Sequence, residues 1–156
     1  MTNRRKAIEM TGQEVQAFLG EERVAVVSSL GPRGWPHSMP LWYVVRNERI
    51  FAWTFTKWQK IKNLERDSRA TVLVEAGGEY SELRGVQFET EVILHDDIDL
   101  VVGFAEDLTK RYAPGGVEPS EEAMEAFRSQ APKRTVMEFE PVRTVSWDHR
   151  KLGGVY

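Results

Sequence analysis

The sequence contains no cysteine. Disulfides, thiolate nucleophiles and Cys-ligated metals are therefore excluded. No apolar run approaches the roughly 20 residues that a membrane-spanning helix needs. The chain has no basic excess either: its formal net charge is -3, which argues against a general nucleic-acid binder. Histidine is scarce. His37, His95 and His149 lie far apart with no HExxH-type spacing, so no metal site is expected. G-x-S-x-G, P-loop and G-x-G-x-x-G motifs are all missing, which removes the usual signals for a serine hydrolase, a P-loop NTPase and a Rossmann fold. The opening "MTNRRKAIEM" is charged and has no apolar stretch, so no secretory leader is expected and a cytoplasmic location is.

What remains is an ordinary globular composition, 41% hydrophobic and 29% charged over 156 residues, enough for one domain spanning 1–156 around one core. No internal repeat or low-complexity segment interrupts it. Thr11-Gly12-Gln13-Glu14 reads as a capping box that opens a short helix to about Glu22. Residues 23–30 are β-branched and predict a buried strand. "GPRGWP" at 31–36 is turn chemistry and predicts a hairpin into a second strand at 37–45. Pro40 inside that strand marks it as an edge or a bulge. "RNER" turns into a third strand at 49–55. Thr56-Lys57-Trp58-Gln59 fits another capping box, with its helix running to about Asp67. Strands follow at 70–75 and 81–95, then the clearest helix at 96–112, where Ile98, Val101, Val102, Ala105, Leu108 and Tyr112 recur at helical spacing. "APGGVEPS" ends it, and a further helix is predicted at 120–130. The last strands are 133–140 and 142–147, divided by Pro141. Strands joined by short turns imply an antiparallel sheet. Six or seven of them predict a mainly β, α+β fold: an antiparallel barrel with peripheral helices.

The helix start after residue 55 departs from a local rule. Exposed N–H groups and the dipole make a helix N-terminus favourable for anions, and carboxylates commonly occupy the first turn. Here Lys57, Lys60 and Lys62 stand there, with no acid before Glu65. Trp58, Ile61 and Leu64 would form the apolar face, leaving Lys57, Lys60 and Asn63 elsewhere on the cylinder. Thr54 and Thr56 add hydroxyls just ahead. Two readings fit: a solvated lysine face, or a phosphate site at a strand–helix junction.

"WTFTKWQKIKNLERDSRATVLVE", followed by "GEYSELRGV" and ending in "SWDHRKLGG", resembles the split β-barrel superfamily of pyridoxamine-phosphate oxidase-like, flavin-reductase-like proteins, and within it the branch that uses the deazaflavin coenzyme F420. The resemblance covers roughly residues 23–154 and rests on Lys-x-x-Asn-Leu-x-x-Asp at 60–67 and Glu-Leu-Arg-Gly-Val at 82–86. It implies a homodimer with two cofactors at the subunit interface. Lys60 matches the lysine that grips the cofactor phosphate. Gln59 stands where the oxidases often carry a second, basic phosphate contact. Thr54 matches a hydroxyl at the end of the preceding strand and Trp53 its aromatic neighbour, with Lys57 as a further contact. Met39, Pro40 and Leu41 match the strand whose backbone runs along the flavin-like ring. Arg84 and Gly85 fall on the strand that approaches the cofactor across the dimer. Trp58 departs from the family, which often has a small hydroxyl residue there. "SWDHRKLGG" stands where the oxidases carry a Trp and Arg motif of different spacing, so pyridoxamine oxidation is not expected.

The resemblance thus implies an F420-dependent oxidoreductase that delivers a hydride to a conjugated small molecule. FMN is the alternative cofactor, slightly disfavoured by the missing Arg at position 59. A third reading is a non-catalytic flavin- or haem-binding protein, with His149 as the axial donor. Trp42 and Trp53 fit either a pocket lining or packing. Tyr80 is a candidate for the substrate pocket, and Tyr80, Tyr112 and Tyr156 are candidate proton donors without an identifiable partner.

Overall fold

In the computed structural model, which describes residues 3–154, the alternating runs pair into one seven-stranded antiparallel sheet. The strands are β1 (Val24–Leu30), β2 (Pro36–Trp42), β3 (Val44–Arg46), β4 (Arg49–Phe55), β5 (Arg69–Ala76), β6 (Arg84–His95) and β7 (Arg134–Asp148), in the order β2-β1-β5-β6-β7-β4-β3. The sheet curls into an open half-barrel. Its helices are α1 (Arg4–Ala7), α2 (Gly12–Glu21), α3 (Gln59–Arg66), α4 (Ile98–Tyr112) and α5 (Glu121–Gln130). This is the expected split-barrel architecture.

Alternation along the strands sorts side chains onto two faces. The concave face holds the main core, with Ala25, Val27, Ile50, Ala52, Val72, Val74, Val86, Phe88, Met137 and Phe139 packed with Phe18 and Leu19 of α2. A second core lies on the other face, where Phe51 and Val136 meet Val101, Val102 and Phe104 of α4. Short turns fix the register. Gly34, at φ 79°, closes the β1–β2 hairpin by donating to the Gly31 carbonyl at 3.0 Å. Asn47 and Glu48 both take positive φ between β3 and β4, the backbone of a two-residue hairpin turn.

Thr11 caps α2 as its spacing predicts, with the reciprocal Glu14 contact in place. Pro40 sits on an edge strand. Three expectations are corrected. The strand expected at 37–45 breaks at Tyr43, whose N–H donates to the Tyr112 hydroxyl at 3.0 Å instead of to a neighbouring strand, while its ring is fully buried. The final strand is continuous through Pro141, because a register shift opposite Glu89 and Thr90 absorbs the missing N–H. The strand expected from 81 begins at Arg84, after a 3₁₀ turn over Tyr80–Glu82.

The capping box at Thr56 does not form either. Trp58 is the N-cap of α3, without a side-chain cap. Sheet pairing carries on past β4: the Thr56 N–H donates to the Lys133 carbonyl at 2.9 Å, and the Thr56 and Thr135 hydroxyls lie 2.8 Å apart. A long-range pairing thereby claims the residue that local spacing assigns to the helix.

Candidate functional site

The helix α3 leaves the end of β4 and closes one end of the barrel, packing on β1. Its buried residues are Lys60, Ile61, Asn63 and Leu64. This corrects the helical face read from sequence. Trp58 is exposed, whereas Lys60 and Asn63 point into the protein, 4% and 0% exposed.

The surroundings of Lys60 are unusual for a buried ammonium. Its Nζ is 3.5 Å from the Thr54 hydroxyl and 5.1 Å from the centre of the Trp58 ring. No carboxylate among the described residues pairs with it, and burial holds its pKa below the usual lysine value. Buried charges are ordinarily paired. The neighbouring polar groups are already engaged with one another. Gln59 donates to the Asn63 side-chain oxygen at 2.8 Å, and Asn63 donates to the buried Ser29 hydroxyl at 3.1 Å. Ser29 faces His37 across the β1–β2 pair, and the Nδ1 of His37 is buried without a hydrogen-bond partner. A cavity of about 630 Å³ meets this cluster only at Ser29; its wall includes Ser28, Thr71 and the carboxylates Asp67, Glu89 and Glu91, and Lys60 does not line it. The remaining lysines behave differently. Lys62 pairs with Glu65 at 3.3 Å, and Lys57 is exposed. The solvated-face reading describes those two and fails for Lys60.

Of the residues singled out from sequence, Thr54, Gln59 and Lys60 come together here. Met39, Pro40 and Leu41 lie on the edge strand β2, opposite Val27, Val26 and Ala25; Leu41 packs on the main core while Met39 and Pro40 are exposed. Trp53 points to the second core, tilted on Phe104 at 5.5 Å with the Arg134 guanidinium 4.5 Å from its ring. Arg84 and Gly85 lie elsewhere. Ser29 pairs with Ala70, whereas Arg84 pairs with Ala76, six residues further along β5, about 20 Å away. Arg84 there bridges Glu21 at 3.1 Å and Glu22 at 3.7 Å and covers the Phe18 ring, so its charge is neutralised within the chain. Gly85 lies beneath Trp147. Trp42 stacks on Tyr112 at 4.5 Å, and Tyr80 packs against His149, whose Nδ1 is 2.9 Å from the Tyr80 carbonyl oxygen. Tyr156 lies outside the described residues.

Sequence reasoning missed Ser29 and His37. Asn63 carried a readable signal, four residues after Gln59 on a helix. Ser29 and His37 carried none, since only the β1–β2 register and the seating of α3 make them part of the cluster.

The family model of pyridoxamine 5'-phosphate oxidase matches residues 11–148. The chain belongs to this family. Its structure is also similar to that of the conserved hypothetical protein Rv2991 from Mycobacterium tuberculosis, at 33% identity, TM-score 0.89, covering 97% of this chain and 93% of that one. An F420 reductase shares the fold at 18% identity and TM-score 0.61, over 83% of this chain and 94% of its own. So does HutZ, the haem storage protein of Vibrio cholerae, at 13% identity and TM-score 0.66, over 86% and 93%. No curated protein matches the chain. The pyridoxamine-phosphate oxidase-like superfamily and the split β-barrel fold expected from the sequence therefore stand. Solved proteins of this fold include an F420 reductase and a haem storage protein, so the fold does not select the chemistry. Among the described residues, no helix is long and apolar enough to cross a membrane, and no cluster of His, Asp and Glu could hold a metal ion.

Proposed function

We propose that this chain is an oxidoreductase that binds coenzyme F420 through its phosphate at Lys60 and reduces a conjugated small organic molecule. The observation that carries this reading is the buried ammonium of Lys60, which has a hydroxyl partner in Thr54 and no counter-ion among the described residues. A phosphate oxygen is the kind of ligand that would offset its desolvation. Thr54 would add a hydroxyl contact and Gln59 its amide, with Lys57 at the exposed rim. The backbone of Met39, Pro40 and Leu41, on an edge strand with Met39 and Pro40 open to solvent, would run along the ring.

When bound, the reduced deazaflavin supplies the hydride. The protein holds and orients the ring and shapes the space in front of it. FMN is the alternative cofactor. Gln59 tempers that reading, because a neutral amide adds no positive charge for a dianionic phosphate monoester.

The reading includes a homodimer. Arg84 stands about 20 Å along the sheet from Ser29 beneath α3, so within one protomer it lies away from the cluster and it and Gly85 would approach a cofactor only from a second copy. Val24, Leu30, Trp35, Met39 and Trp42 leave apolar surface exposed on and around the β1–β2 edge, an area suited to that second copy. Sedimentation at micromolar concentration should give a dimer, and a monomer would leave the proposed site without its second wall.

Side-by-side titration with coenzyme F420, FMN and haem, followed by Trp fluorescence and visible absorbance, tests the cofactor. We expect F420 to bind more tightly than FMN and haem to give no intense Soret band. Tighter FMN binding would move the assignment to a flavoprotein. A Soret band that is lost in His149→Ala would favour the haem reading.

A further inference from the structure

Trp58, the N-cap of α3, makes no side-chain cap, so the helix is tied to the barrel from further along its length. Two polar ties reach the end of β1. Asn63 donates from Nδ2 to the Ser29 hydroxyl at 3.1 Å, and the exposed Arg66 guanidinium donates to the Leu30 carbonyl. Asn63 is fully buried and Ser29 is 4% exposed, so their bond is made away from water. Asn63 stands three residues after Lys60, about one turn along the same inward face of α3.

A side-chain amide has two unlike edges, an oxygen that only accepts and a nitrogen that only donates. Asn63 gives its nitrogen to Ser29, which leaves its oxygen for a second contact. That oxygen accepts from Nε2 of Gln59 at 2.8 Å. An acceptor can hold Gln59 only by its nitrogen. Gln59 is exposed at the first position of α3, next to Lys60 in sequence. A free carboxamide there could turn its carbonyl oxygen to the ammonium, where it would repel an anion. Held by Asn63, Gln59 keeps a second N–H on the same nitrogen, and no group among the described residues takes it. That N–H suits a phosphate oxygen.

We propose, resting on the reading of Lys60 as the phosphate contact, that Asn63 is a positioning residue of that site: tied to Ser29, it holds Gln59 by its nitrogen and so keeps an N–H, and not a carbonyl oxygen, for the anion. Asn63 does not touch the cofactor. It acts through Gln59, and the preference for a phosphate-bearing ligand then depends on two buried residues of the barrel end.

The test compares the full-length protein with the double variant Ser29→Ala, Asn63→Leu. Replacing both partners of a buried hydrogen bond with apolar groups of similar shape costs little stability. The variant should therefore fold and melt close to the wild type. Coenzyme F420 and the same deazaflavin truncated before its phosphate are titrated into each. We expect F420 affinity to fall about ten-fold in the double variant and affinity for the truncated compound to stay unchanged. Gln59→Met should give the same selective loss, and adding it to the double variant should cost nothing more, since the residues act in series. Equal losses for both ligands, or losses that add to that of Gln59→Met, would mean that Asn63 only seats α3 and would overturn the proposal. A second readout needs neither ligand nor variant. By ¹⁵N relaxation the Gln59 side-chain amide of the cofactor-free wild type should be as rigid as the α3 backbone, and a freely mobile amide would overturn the proposal. Equal binding of the two ligands by the wild type would sink the Lys60 reading and the proposal with it. A wild-type preference for F420 that survives in the double variant would remove the proposal alone.

Discussion

Replacing Lys60 with Met should make the cofactor-free protein more stable and its cofactor binding much weaker. Lys60 is 4% exposed, with only the Thr54 hydroxyl and the Trp58 face near its ammonium. Met fills a similar volume without a charge to desolvate, so we expect a gain of about 1–2 kcal/mol. For a chain of this length that corresponds to a rise in Tm of roughly 2–8 °C. F420 affinity should fall ten-fold or more, about 1.5–3 kcal/mol for a charge-assisted contact.

The pH dependence has a definite sign. Burial lowers the folded-state pKa of Lys60 below its ordinary value of 10.5, so the unfolded chain binds more protons in the interval between the two. Stability of the cofactor-free protein therefore rises with pH across that interval. In Lys60→Met that rise should disappear. Denaturant unfolding of both proteins as a function of pH measures it, and parallel curves would show that Lys60 stays solvated.

The second large effect is expected at Gly85. A Cβ there would lie 2.2 Å from Cζ2 of Trp147, its cross-strand neighbour in the centre of the sheet. The indole cannot remain in place, so Gly85→Ala should cost about 2–3 kcal/mol and lower the Tm by roughly 4–12 °C. The test is a double-mutant cycle. Trp147→Ala removes the obstacle, so adding Gly85→Ala in that background should cost far less than it does alone. Additive losses would mean that the glycine serves some purpose other than making room for Trp147. The cycle also separates a packing role for Gly85 from a role at a cofactor, since only the latter would change F420 affinity in the folded single variant.

Much of the architecture was legible because its signals are local. The Thr11–Glu14 capping box, the 31–36 turn and the helical spacing of Ile98, Val101, Val102 and Ala105 each lie within one element, and each appears as expected. The failures have a common cause in long-range contacts. Thr56 spends its N–H and hydroxyl on Lys133 and Thr135, and no local spacing reveals that. Tyr43 breaks its strand for the hydroxyl of Tyr112.

The candidate site divides in the same way. The excess of lysine at the start of α3 was visible, and so was the violation of helix-terminus preference that it represents. Which lysine is buried was not. Helical spacing placed Lys60 away from the apolar face, whereas the barrel end supplies Thr54 and Ser29 as a polar floor beneath α3.

The central claim is that the buried ammonium of Lys60 receives a phosphate. The most direct measurement compares the thermal stabilisation of the wild-type protein by coenzyme F420 with that by the same deazaflavin truncated before its phosphate, each at matched concentration. F420 should raise the Tm, the truncated compound should raise it far less, and the difference should vanish in Lys60→Met. Equal stabilisation by the two compounds, or a difference that survives in Lys60→Met, would contradict it.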